Sequence, residues 1–215
     1  MQNEAPFVSC IMPTANRQEF VKTSIDLFVN QDYPAVELVI IDDGRQPFAN
    51  PVVEQSNIHY LYYKHPLGTI GAKRNIACEQ AKGELIMHWD DDDWYARDWI
   101  SKQVQTLITS NADITGLNRA NFYSSSSKRG VFYQDANKYV PWLCGATLGF
   151  KKRLWESYNF ADLQIGEDSD FLMNCGGRMV ASEYTGGFVA GLHEKNTSLK
   201  HLDAYNTIKL TNVAQ

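Results

Sequence analysis

Four consecutive aspartates, Asp90–Asp93, stand between the apolar run 84–89 and the aromatic pair Trp94-Tyr95. Unpaired carboxylates about 5 Å apart repel by roughly 3 kcal/mol at an effective dielectric near 20. A divalent cation is the natural compensation, because Mg2+ and Mn2+ take hard oxygen ligands and join one or two carboxylates to phosphate oxygens. A solvated acidic loop is the plainer alternative. In an extended segment, side chains two positions apart share one side. Asp90 and Asp92 are therefore the expected metal-facing pair, Asp91 points elsewhere, and Asp93 supports the turn. Polar clusters also follow two other apolar runs: Pro13-Thr14-Ala15-Asn16-Arg17 and Asp42-Asp43-Gly44. A basic pair, Lys73-Arg74, lies on a segment of helical spacing. Many carboxylates with a few cations suit a metal-bound diphosphate.

The elements that must position these residues are legible in the first half. The runs 7–12, 37–41, 59–63 and 84–89 are short and apolar on both faces, as buried parallel strands are. Between them, Val21, Ile25 and Phe28 fall at helical spacing, with Asn16 and Glu19 as a capping box. Ile70, Ala77 and Ala81 share a second helical face, with Gly83 as its C-terminal stop. Ile100, Val104, Leu107 and Ile108 form a third. Strand alternating with helix predicts an α/β, Rossmann-like doubly wound sheet, mainly parallel, with helices on both faces. Ligands of such sheets bind outside the carboxyl ends of the strands. The three polar clusters should converge there, with Lys73 and Arg74 facing them. The second half is less regular: 124–130 reads as a polar, flexible loop, 146–157 as a strand running into a short helix, and 167–177 as a helix stopped by two glycines. No repeat or linker divides the chain, so one domain over 1–215 is expected.

Other functions are disfavoured. A net charge of −5 argues against a sequence-independent nucleic-acid binder. No run approaches the roughly 20 apolar residues of a membrane span, and the first residues lack a signal-peptide pattern, which predicts a cytoplasmic protein. Cys10, Cys78, Cys144 and Cys175 are widely spaced, which favours buried free thiols over a zinc site or a disulfide framework. An EF-hand beginning at Asp90 would place Tyr95 where glycine is required and Ser101 where glutamate is required. Residues 68–74 lack the spacing of a P-loop, and no GxGxxG occurs.

Together, VSCIMPTANR, LVIIDDG, GAKRNIA, GELIMHWDDDDWYARDWI and GEDSDF, in this order, resemble the family 2 glycosyltransferases of GT-A fold. The resemblance runs from about residue 7 to about residue 195. It implies a metal-dependent, inverting transferase using a nucleotide-sugar donor, most often a UDP-sugar, and acting on a saccharide, lipid-linked or other hydroxyl acceptor. Carried over by position, Thr14, Ala15 and Asn16 line the nucleoside pocket and Asp43 holds the base. Lys73 and Arg74 approach ribose or diphosphate, and Asp91 lies near the ribose. Asp92 is the main ligand of Mn2+ or Mg2+, with Asp90 and His193 beside it. Asp168 is the base, Glu167 orients the acceptor, and Trp142, Cys144 and Gly145 wall the acceptor pocket. Residues 1–118 then form the donor half and 119–215 the acceptor half. Two departures stand out: Ala15 replaces an aromatic usual in the family, and no QxxRW follows GED, which implies a non-processive enzyme. Synthesis of cell-surface polysaccharide or glycoconjugate is the implied setting, with peripheral membrane association through a lipid acceptor left open.

Each assignment has a structural alternative. Asp43 alone suits a turn with Gly44, and Asp168 suits a helix N-cap. Lys73 and Arg74 suit a solvated helix face, His193 a surface histidine, and Trp142 core packing. A nucleotidyltransferase would need a glycine-rich basic signature that PTANRQEF lacks. A sugar-nucleotide-binding domain without turnover is disfavoured by retention of both acidic motifs.

Overall fold

The computed structural model describes residues 5–49, 56–134 and 142–197. In chain order these hold β1 (Val8–Thr14), α1 (Gln18–Val29), β2 (Val36–Asp42), β3 (Ile58–Tyr62), α2 (Ile70–Gln80), β4 (Leu85–His88) and β5 (Trp94–Tyr95). They continue with α3 (Trp99–Thr109), β6 (Ile114–Gly116), β7 (Arg119–Ser124), β8 (Arg129–Gln134), β9 (Gly149–Lys151), α4 (Lys152–Ser157), α5 (Glu167–Asn174), β10 (Met179–Ala181) and β11 (Phe188–Leu192). A seven-stranded sheet runs β10-β6-β9-β4-β1-β2-β3, parallel except for β9. A four-stranded sheet, β5-β11-β7-β8, stands beside it.

Alternation along the central strands divides the core. Val8, Cys10 and Met12 of β1 and Leu38 and Ile40 of β2 join α1 and α3 on one face. Ile11, Val39 and Ile41 join α2, α4 and α5 on the other. Each fully buried aliphatic side chain stabilises the fold by roughly 1.5–3 kcal/mol. The expected α/β sheet, mainly parallel with helices on both faces, is therefore present. All four cysteines are free and buried. Among the described residues, no helix is long and apolar enough to cross a membrane.

Several local expectations are corrected. Arg17, not Asn16, caps α1, and it makes no side-chain cap bond. Asn16 has φ 56° and its Oδ1 accepts from the Arg45 amide instead. Gly83 does not end α2, whose C-cap is Ala81. A Cβ at Gly83 would lie 2.6 Å from the Ser9 nitrogen, so it is close packing against β1 that requires a glycine. Strand β3 is an edge strand and only its first residue is buried. Ile108 is 60% exposed, off the buried face of α3. The polar loop at 124–130 is the turn of the β7–β8 hairpin, with Ser124 paired to Arg129.

Candidate active site

The carboxyl ends of β1, β2 and β4 meet as strand polarity requires. The four aspartates form a turn between β4 and β5 rather than an extended segment, so the alternation argument for Asp90 and Asp92 does not apply. Asp91 and Asp92 share one guanidinium group, with Arg17 Nη1 2.9 Å from each. Asp90 turns towards Arg74, whose Nη2 lies 3.5 Å away. Asp93 accepts from the Gly191 amide at 2.9 Å and ties the turn to β11. Thr14 donates to Asp91 at 2.5 Å.

Burial, with the Asp92 charge second, pushes the Asp91 carboxyl up to about 6. Burial, then Asp90, raises Asp92 as well. Arg17 softens both shifts without cancelling them. Burial would lower the Arg74 guanidinium, but Asp90, Glu167 and Asp168 hold it above its ordinary value. The turn is thus under-compensated in charge. Asp90 and Asp92 supply hard oxygens of the kind a phosphate-bound Mg2+ or Mn2+ takes. Among the described residues, no group of three or more His, Cys, Asp or Glu converges to hold a metal unaided. An ion here would draw its remaining ligands from phosphate and water, a mode these residues fit.

His193 is brought to the site by β11 and the segment after it. Its ring stacks on Phe20 at 4.5 Å. The Lys195 amide donates to Nδ1, so Nε2 carries the proton and donates to Asp92 Oδ2 at 3.0 Å. Burial, then Arg17, lowers its pKa, in keeping with a neutral ring. In this arrangement His193 orients Asp92, whereas ligating a metal through Nε2 would require the proton on Nδ1. Asn196 donates to the same oxygen at 3.2 Å.

On the β2 side, Lys73 donates to Asp43 Oδ1 at 2.8 Å and to the Thr14 carbonyl at 3.2 Å. Asp43 also accepts from the Leu67 amide. The turn bond with Gly44, considered for Asp43, is made by Asp42. Lys73 and Arg74 are 8% and 4% exposed, so they are not a solvated face. Ala15 is half-buried and Asn16 exposed beside Thr14.

The start of α5, with Asp168 at its second position, lines the same cavity of about 310 Å3 as the aspartate turn. The N-cap is Gly166, so Asp168 is not the cap, and its Oδ1 accepts from the Ser169 amide at 2.7 Å. Glu167, expected to orient the acceptor, is 5% exposed and turned to Arg74, with Oε1 3.2 Å from Nε. Trp142, Cys144 and Gly145 line the same cavity, as do Phe122 and Leu192. Trp142 is half-buried and packs edge-on against Tyr133 at 5.0 Å. Arg17, expected at the pocket as part of the first polar cluster, lines the cavity, as does Asn196, which the sequence does not single out; His88, behind them in contact with Arg74, is not singled out either.

The family model described as Glycosyl transferase family 2 matches residues 9–180. An uncharacterized glycosyltransferase of Haemophilus influenzae is 30% identical over 119 residues, covering 54% of this chain and 48% of that one. The chain thus spans about half the length of that relative. The structure of S. aureus TarS 1-349 in complex with UDP-GlcNAc superposes with a TM-score of 0.69 at 18% identity, over 89% of this chain and 60% of that one. The mannosyltransferase PcManGT from Pyrobaculum calidifontis, in complex with GDP-Man and Mn2+, superposes at 0.65 and 19% identity, over 88% and 57%. These likenesses place the fold among the GT-A glycosyltransferases.

Proposed function

Because the chain belongs to glycosyl transferase family 2, we propose that it transfers a sugar with inversion from a nucleotide-diphosphate donor, by preference a UDP-sugar, to an acceptor hydroxyl. The observation that carries this reading is one cavity lined by both an under-compensated aspartate turn and Asp168. The nucleotide sugars held by two solved structures of the same fold support it. Residues 1–118 serve the donor and 119–215 the acceptor; residues 135–141 and 198–215 of the acceptor half lie outside the described ones.

In this mechanism Lys73 and Asp43 fix the nucleoside end of the donor, with Thr14, Ala15 and Asn16 beside it. Asp91 approaches the ribose. Asp92, with Asp90, would hold Mn2+ or Mg2+, which would supply Lewis-acid stabilisation of the charge on the leaving diphosphate. Arg74, fixed by Asp90 and Glu167, faces the same charge with its guanidinium. His193 and Asn196 orient Asp92. Asp168 takes the proton from the acceptor hydroxyl as that oxygen attacks C1 on the face opposite the leaving group, which inverts the configuration. Trp142 offers aromatic surface to the acceptor sugar. The protein acts non-processively in the cytoplasm, on a saccharide or lipid-linked acceptor of cell-surface polysaccharide or glycoconjugate synthesis, and reaches a lipid acceptor by peripheral contact. Incubating Asp168→Asn with donor and acceptor pools should show no transfer while calorimetry shows near-normal donor binding. Full transfer by that variant removes Asp168 as the base.

A further inference from the structure

His88 closes β4, two residues before the aspartate turn, and is fully buried. Its ring sits edge-on to Phe150 at 5.9 Å and lies 5.5 Å from Phe160. Nε2 is buried without a hydrogen-bond partner, so the ring is not there to satisfy that atom. Nδ1, by contrast, faces two groups: it is 2.6 Å from the Gly145 carbonyl oxygen and in contact with Arg74 Nη1. A carbonyl only accepts and a guanidinium only donates. With a proton on Nδ1 the ring holds Gly145, and without one it holds Arg74.

Both neighbours lead directly to the chemistry. Arg74 reaches Asp90 on the donor side and Glu167 at the start of α5. Gly145 lies against the base, because a Cβ added there would overlap the Asp168 carboxylate and stand 2.6 Å from its Cγ. One buried nitrogen therefore sits between the group facing the leaving diphosphate and the peptide that seats the base. We propose that His88 is a positioning residue for transfer, whose Nδ1, wedged between Arg74 and the Gly145 carbonyl, bonds one and packs against the other and so sets the spacing of Arg74 from the Gly145–Asp168 contact. It touches neither donor nor acceptor. The inference rests on the glycosyltransferase reading and adds to it a residue with no assigned role.

The test replaces His88 with Phe, which keeps a ring and removes both nitrogens, with Asn, whose amide lies where Nδ1 lies, and with Gln, whose amide lies nearer Nε2. Hydrolysis of UDP-glucose, UDP-galactose, UDP-N-acetylglucosamine and GDP-mannose is followed by nucleotide release, with donor affinity measured in parallel. For the donor that wild type turns over fastest, His88→Phe and His88→Gln should lose about a hundredfold in kcat, the scale of a misplacement near 1 Å. Donor affinity should stay within about threefold, and His88→Asn should recover most of the rate. If His88→Phe does not fold, the Asn and Gln variants, both polar, decide the matter between them. Equal rates for Asn and Gln, or a loss of donor affinity that matches the loss of kcat, overturns the inference. Wild type turning over none of the four donors overturns the glycosyltransferase reading and the inference with it; active wild type with unchanged variants overturns the inference alone.

Discussion

At the amino edge of the seven-stranded sheet, Asp113 lies between Lys151 and Arg153 and accepts from the Arg178 amide. At the carboxyl edge, Asp91 and Asp92 divide one Arg17 guanidinium between them. The hydrogen bond from Lys151, with the Arg178 amide second, holds Asp113 below its ordinary value. Burial drives Asp91 and Asp92 the other way. Among the described residues that line the cavity, Asp90, Asp91, Asp92, Glu167 and Asp168 share two cationic side chains, Arg17 and Arg74. The same side chain is thus matched with positive partners where it serves the fold and left short of them where it serves a ligand. A charge deficit maintained at the cost of stability marks a place where a cation or a substrate completes the account.

The contrast can be broken by substitution, and the largest effect belongs at the carboxyl edge. Asp168→Asn or Asp92→Ala should lower transfer by at least about a thousandfold, on the scale of losing a base or a metal-assisted step, as measured by nucleotide release. Either variant retaining wild-type rates would make that edge structural, like the other. Gly145→Ala comes next: a methyl group overlapping the Asp168 carboxylate must displace it. A loss of roughly a hundredfold in kcat is expected, with donor binding intact by calorimetry.

The amino edge should respond in stability alone. Asp113 is held low, so it contributes stability above its ordinary value of 3.8 and loses that contribution as pH falls through its lower folded-state value. Asp113→Asn should therefore lower stability by about 0.5–1 kcal/mol at pH 7 after solvent screening. The gap to wild type should close in thermal melts below pH 3.8, and activity should not change. A gap independent of pH would show that the ion pairs contribute nothing. Smallest of all, Ile108→Lys on the exposed side of α3 should shift stability by less than about 0.5 kcal/mol, checked by denaturant titration.

The sheet, its helices and the meeting of three polar strand ends were legible because their periodicity reports burial directly. The apolar runs of β1 and β2, buried on both faces, are consequences of packing between two helical layers. The second sheet was not legible: β7 alternates, but with Arg119, Asn121 and Tyr123 on its half-buried face it forms no apolar run, and β5 is two residues long. Within the site, the types of the aspartates were clear and their directions were not. Alternation presumes an extended chain, and the segment turns to meet Arg17. His88 looked like one more buried strand residue, since neither Gly145 nor Arg74 is near it in sequence.

Titrating the protein with UDP-N-acetylglucosamine, UDP-glucose, UDP-galactose and GDP-mannose in the presence of Mn2+ tests the central claim most directly, with wild type and Asp92→Ala side by side. The account predicts that wild type binds at least one donor with a metal-dependent heat, and that Asp92→Ala loses most of that affinity. No binding by wild type, or equal binding by both proteins, contradicts it.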